Sequence, residues 1–418
     1  MTSPGEIPEA ELRPARSRLP RTVWSLGLVA LCMDLSSETV HAILPIFLVS
    51  GLGASTLSVG FVEGVAEATA SFSRLFSGVL SDWLQRRKIL VLVGYGLSAA
   101  SKPLFPLANS VGAVVAARVI DRLGKGIRGA PRDAMIADAT PPILRGAAYG
   151  LRQAFDSVGA FLGPLLAFVL MESTGNQFRT VFWAAVIPAF IGVLLLVLFV
   201  DETLPAVART KDTTAEKGRS WLPIHRADIA RLGREYWLVV VAAGMLGLAR
   251  FSEAFLLLRA QNVGLTDALV PTVLVAMNVI YAAIAYPFGK LADRVNRTAL
   301  LVAGLGALII ADIVLASAPS IWFVFAGAML WGLHMGATQG LISVLVADAV
   351  PKDLRGTGFG VLNLVTGVTA LCASVVAGVL WNIVGPSATF GLGAGLTLLS
   401  ALLFLFFRLG PMNRSLPP

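Results

Sequence analysis

Apolar runs of about 20 residues recur along nearly the whole chain, and they constrain its fold more than any other feature. A run of that length, wound as an α-helix, crosses the ~30 Å hydrocarbon layer of a bilayer while satisfying its own backbone hydrogen bonds. The runs lie near 22–48, 58–80, 88–107, 112–138, 146–171 and 178–200. A second set lies near 236–261, 268–289, 298–317, 320–346, 356–382 and 387–408. These runs use most of the 418 residues and leave no room for a sizeable soluble domain. Only 14% of the residues are charged, against roughly a quarter in an average soluble domain. The predicted class is an all-α membrane protein with 12 transmembrane helices.

Charge placement orients the helices. The formal net charge of +8 could suggest a nucleic-acid partner, but the basic residues gather in alternate loops, as topogenic charges do. Arg86-Arg87-Lys88, Arg145, Arg294, Arg297, Lys352 and Arg355 fall in loops on one side, together with both tails. The loops at 49–57, 108–111, 315–319 and 383–386 carry no Lys or Arg. Both termini are therefore expected in the cytoplasm, with the chain threaded through a prokaryotic inner membrane. No cleavage site follows the first run, so it reads as an uncleaved span. Cys32 and Cys372 both sit in apolar runs and read as core residues, not as a disulfide or metal pair.

Internal repetition sets the domain organisation. Residues 137–150 read ADATPPILRGAAYG, and residues 347–360 read ADAVPKDLRGTGFG. The segment Gly78-Val-Leu-Ser-Asp82 is echoed in the same way by Gly289-Lys-Leu-Ala-Asp293. Two unrelated motifs returning at nearly one spacing mark a tandem duplication. The expected layout is a tail at 1–21, a six-helix bundle at 22–200, a polar linker at 201–235, a second six-helix bundle at 236–408 and a tail at 409–418.

The runs GVLSDWLQRRK (78–88) and GKLADRVNR (289–297) resemble the paired loop motif of the major facilitator superfamily (MFS), over essentially the whole chain. The fourth-span pattern D-R-x-G-K-G-x-R-x-x-P-R-D resembles a prokaryotic branch of that superfamily. The resemblance implies an MFS fold and a transporter that alternates access to a site between its halves. It also implies a conformational latch built from Gly78, Asp82, Arg87, Gly289 and Asp293. Glycine lets helices approach closely, and a carboxylate suits a helix N-terminus.

The fourth span departs most from an apolar helix. Arg118, Asp121, Arg122, Lys125, Arg128, Arg132 and Asp133 fall within about 140° of one face at ~100° per residue. Such a stripe must look into the bundle or a wet cavity, because an unpaired charge at mid-bilayer costs at least ~2.5–3.5 kcal/mol. Candidate partners are Asp34, Glu38 and His41 on the first span and Glu63 and Glu67 on the second. The fifth span adds Arg152 and Asp156, and the seventh adds Arg250 and Glu253. The expected pairs are Asp34 or Glu38 with Arg118 or Arg122, and Asp156 with Arg122 or Lys125.

Asp34 and Glu38 are the first choices for a proton switch. His41 is placed toward the external end, where a hydrogen-bonded imidazole is the simpler reading. Arg128, Arg132 and Asp133 read as gating residues near the cytoplasmic mouth. By resemblance, Arg118 matches the arginine that the family ties to proton coupling. Gly159, Gly163 and Pro164 match the fifth-helix motif associated with antiporters, with Leu165, Leu166 and Ala167 departing from it. The second half offers fewer buried charges: Asp312 and His334, beside Trp322, Met329, Trp331 and Met335, which read as a more apolar wall.

The expected activity is secondary transport of a small charged or amphiphilic solute, by proton-coupled efflux or, alternatively, uptake. No P-loop is present, so the proton gradient is the energy source and no cofactor or metal is called for. Small solute, protons and lipid are the expected partners, with no nucleic acid, and the resemblance implies a monomer. No nucleophile–base or metal set supports a membrane-embedded enzyme, and a non-transporting receptor is the remaining alternative.

Overall fold

The computed structural model describes residues 19–84, 86–202, 229, 231–292, 295, 297–338, 341–351 and 354–409. Most of the expected linker, and both tails beyond these limits, lie outside the described residues. The described chain forms twelve spans. Ten are long and apolar enough to cross a membrane by that criterion alone. The other two, Thr56–Leu84 and Val111–Ala139, are 29-residue helices whose charged side chains lower their hydropathy. These are the second and fourth spans, the two that supply most of the buried ions.

Local sequence explains the breaks. The first span, Arg21–Ile46, contains Pro45 and ends in a π turn at Phe47–Gly51, where the missing proline N–H loosens the ladder. Ser110 caps the fourth span by accepting from the Ala113 amide at 3.3 Å. The fifth span, Arg145–Thr174, is stopped by Gly175 in the left-handed region (φ +65°). The seventh span differs from the continuous helix expected over 236–261. It is two helices, Arg234–Ala249 and Ala254–Asn262, separated by a non-helical break at Arg250–Glu253.

The two halves repeat one packing scheme. In the first half, the second and third spans lie on the fourth, and the fifth and sixth lie on the first. In the second half, the eighth (Thr272–Ala292) and ninth (Arg297–Ala316) lie on the tenth, which begins as Ile321–Thr338. The eleventh (Arg355–Ile383) and twelfth (Pro386–Leu409) lie on the seventh. The duplication extends to single contacts. Arg87 pairs with Asp138, and Arg297 pairs with Asp348 at 2.9 Å. Gly94 sits against Arg128 and Gly124, and Gly304 sits against Thr338 and Ala337.

The halves meet chiefly through the second and eleventh spans, with further contacts between the fifth and eighth and between the first and seventh. A Cβ on Gly60 would lie 2.1 Å from the Ser374 carbonyl oxygen, and one on Gly378 would lie 2.7 Å from that of Thr56. Only glycine permits backbones to run this close. Polar bonds join the halves from Gln261 Nε2 to Ser50 Oγ (2.7 Å) and from Asn278 Nδ2 to the Ala160 carbonyl (2.8 Å). Large apolar side chains such as Phe190, Leu198 and Trp322 remain exposed on the outer faces, where hydrocarbon would cover them.

Candidate functional site

A cavity of about 370 Å³ lies between the halves. The first half contributes Glu38, His41, Glu63, Glu67, Arg122 and Lys125 to its lining. The second half contributes Arg250, Phe251, Ser252 and Glu253 from the seventh-span break, with Trp331 among the apolar wall residues. The volume falls in the range of small-molecule sites.

The deepest ion cluster is built by three helices. Arg118 Nη2 lies 2.8 and 2.7 Å from the two oxygens of Glu63 and 3.0 Å from His41 Nδ1. Both charged side chains are 1% exposed, so each neutralises a charge that the interior could not hold alone. Glu63 also accepts from the Ser252 hydroxyl at 3.5 Å, which carries the cluster across to the second half. One turn along, Arg122 Nη2 lies 3.4 Å from the half-exposed Glu67. The buried Nε atoms of Arg118 and Arg122 have no hydrogen-bond partner among the described residues.

These pairings correct the sequence expectation. Arg118 and Arg122 are met by Glu63 and Glu67, not by Asp34 or Glu38. Asp156 takes its fifth-span neighbour Arg152, one turn earlier, not Arg122 or Lys125. His41 belongs to the central cluster instead of standing apart as an external imidazole. Asp121 turns away from the cavity to Lys102 of the third span, Oδ1 to Nζ 2.9 Å, and Lys102 also bonds Ser37 at 2.9 Å.

Asp34 and Glu38 are pressed against the fifth span. A Cβ on Gly159 would meet that of Asp34 at 2.8 Å, and one on Gly163 would meet that of Glu38 at 2.5 Å. The two glycines therefore bring the fifth span onto the carboxylate-bearing face of the first, and Thr39 Oγ1 seals the contact to the Gly163 carbonyl at 3.1 Å. Pro164 follows within the same helix. Glu38, Lys125, Arg250 and Glu253 line the cavity without joining any ion pair among the described residues.

The other expected residues lie farther out. Arg128 is buried sideways against the third span, with its guanidinium 4.6 Å from the Tyr95 ring centre and Nη1 on Ser98. Arg132, Asp133, Arg152 and Asp156 form a chain of pairs between the fourth and fifth spans. Arg87 of the expected latch holds Asp138 within its own half. Gly289 is exposed, with open space where a Cβ would sit, so no helix among the described residues touches it. Gly78 and Asp82 fall within the helix Thr56–Leu84, the surroundings of Gly78 and the Asp82 side chain are not described, and Asp293 lies outside the described residues.

A sequence model described as Major Facilitator Superfamily matches residues 26–259 and 239–418. The chain belongs to the major facilitator superfamily. It is 33% identical over 398 residues to an uncharacterised MFS-type transporter of Methanocaldococcus jannaschii, covering 93% of this chain and 95% of that one. It is 24% identical to the inner membrane transport protein YajR of Escherichia coli, over 82% of this chain and 73% of that one. Among solved structures, the nucleoside transporter NupG superposes with a TM-score of 0.74 at 12% identity, covering 93% and 99% of the two chains. This MFS chain is thus a multi-pass membrane transporter, which sets aside an enzyme on the same helices.

Three features in and around this MFS cavity were missed in the sequence reading. Lys102 is fully buried, and its only sequence signal is a lysine inside an apolar run. Ser252, which links the halves, carries no signal. Phe251 stacks on Phe255, Trp331 and Phe390 at 5.4–5.5 Å, the centre of an aromatic cluster behind the seventh-span break. Trp331 joins the cavity wall as expected, whereas Trp322 and Met329 are exposed on the outer surface.

Proposed function

We propose that this chain exports a small charged solute by alternating access, in exchange for protons, through the cavity lined by Glu38, Glu63, Glu67, Arg122, Lys125, Arg250 and Glu253. The carrying observation is that ionic groups of both signs, which join no ion pair among the described residues, converge on one cavity from both halves. Lys125 and Arg250 suit an anionic group, and Glu38 and Glu253 suit a cationic one, so a solute bearing both signs satisfies the lining best.

Proton coupling is supported by carboxylates that share a small wet space with cations, where a shift of geometry changes which form is favoured. Export is supported by Gly163-Pro164 in the fifth span. The loop charges, and the Escherichia coli relative described as an inner membrane transport protein, support an inner-membrane site with cytoplasmic termini. Proton-driven uptake is the second reading, because a cavity of this kind serves either direction.

The test uses inverted membrane vesicles made acid inside and a panel of radiolabelled zwitterions, organic cations and organic anions. Antiport predicts accumulation of at least one panel member only with the gradient, accompanied by proton release. Accumulation only in right-side-out vesicles, driven by inward protons, would establish symport. Glu38→Gln should abolish gradient-driven accumulation and preserve solute-for-solute exchange.

A further inference from the structure

The ninth span carries a carboxylate that the central cavity does not use. Asp312 is 0% exposed, and neither oxygen has a hydrogen-bond partner among the described residues. A Cβ placed on Gly393 of the twelfth span would lie 2.7 Å from Asp312 Oδ2, 3.0 Å from Phe251 Cε1 and 3.4 Å from the Ala249 carbonyl oxygen. The carboxylate therefore points at Gly393, a position shared with Phe251 and with the end of the first seventh-span helix. That helix terminates at Ala249, and its last carbonyls are left without intrahelical partners and carry partial negative charge.

Two oxygen acceptors converge here and no donor accompanies them. The tenth span offers His334, whose Nδ1 is 2.9 Å from the Gly304 carbonyl and not on Asp312. The twelfth has no titratable side chain from Pro386 to Phe406. On the seventh, Arg250 and Glu253 line the central cavity, and Arg259 is spent on the carbonyls of Leu315 and Ala318. An ionised carboxylate buried without a counter-charge is not tolerated in such an interior. What the site lacks is a small positive species.

We propose that Asp312 is a proton-binding site of the second half, filled while the seventh-span break closes over it and emptied when the break opens. Phe251 supplies the connection. It lines the central cavity and also a second, apolar cavity of about 180 Å³ that Gly393 shares. Displacing its ring exposes the acid to cavity water, the O–H bond breaks, and the proton leaves to water while the carboxylate keeps the electron pair. The proposal deepens the proton-exchange reading by adding a second, independent acid.

Infrared spectroscopy of the purified full chain in nanodiscs tests it without any solute. The difference between parent and Asp312→Asn should contain one carboxylic-acid C=O band at neutral pH, shifted in D2O and unchanged when potassium is replaced by sodium. Phe251→Ala should fold and lose that band at neutral pH. An unchanged Asp312→Asn spectrum overturns the proposal, and a band displaced by sodium at constant pH makes the site one for a metal cation instead. If Asp312→Asn does not fold, Phe251→Ala decides alone: a retained band refutes the gate. The band reports only on Asp312, whereas vesicle flux reports on exchange, so the two readings fail separately.

Discussion

Replacing Glu63 with Gln keeps the side-chain volume and removes the charge that balances Arg118. The guanidinium stays 1% exposed, with Nη2 facing an amide and the His41 ring, and with its own Nε still without a partner among the described residues. Breaking a buried pair in this way costs about 3–5 kcal/mol, mostly from the uncompensated charge. With an unfolding entropy of about 2 cal/mol/K per residue, the melting temperature should fall by about 3–6 °C. Removing both charges with apolar residues of similar volume, Glu63→Leu with Arg118→Met, should recover most of that loss, because the desolvation of both ions disappears with the pair.

The assay is thermal unfolding of the parent, Glu63→Gln, the single variants Glu63→Leu and Arg118→Met, and the double variant that combines the last two, at one pH and in one detergent. The decisive quantity is the interaction in the double-mutant cycle, expected well above the ~0.5 kcal/mol at which independent sites add. A single variant within 1 °C of the parent, or a double variant whose loss equals the sum of the singles, would refute the view that this pair is mutually stabilising in a dry interior.

Three further outcomes follow from other contacts. Gly163→Ala should destabilise by about 1–3 kcal/mol, because its Cβ would sit 2.5 Å from that of Glu38, whereas Gly146→Ala on the same helix, in open space, should stabilise slightly; unfolding temperatures that move in the same direction would contradict the close approach. Lys102→Met should lose more stability than Lys102→Met combined with Asp121→Leu, since the single change strands a carboxylate that is 3% exposed. Arg87→Ala should be costlier than Arg297→Ala, because the first pair is 13% and 14% exposed and the second 43% and 62%, leaving the second worth at most about 1 kcal/mol.

Helix count, duplication and the charged fourth span were legible because hydropathy and charge act over whole helices. Which ion meets which was not legible. Helical periodicity gives the face on which Arg118 lies, but not the depth or rotation of the helix beside it, and those choose Glu63 over Glu38. The seventh-span break was invisible for a similar reason. Arg250-Phe-Ser-Glu253 contains neither Gly nor Pro, and tertiary contacts open the helix there, among them the Ser252 amide on Ser374 Oγ at 3.3 Å. Gly163 was legible as a packing residue but not as the residue that seats Glu38. Gly289, read from its motif alone, packs against no helix among the described residues.

Magnitudes separate what holds the halves together from what fills the space between them. The Ser252–Glu63 bond crosses the interface at 3.5 Å, long for an O–H donor, so it contributes less than a good charged bond of ~1.5–3 kcal/mol. The interface of the second and eleventh spans brings Gly60 and Gly64 onto the backbone at Ser374 and Leu371. Its stability is close packing, which is non-ionic and indifferent to protonation. Loss or gain of one proton at Glu63 therefore cannot part the halves by breaking an inter-half ion pair. The contact that such a change would touch is the bond from the Ser252 hydroxyl, which sits in the non-helical break beside Phe251.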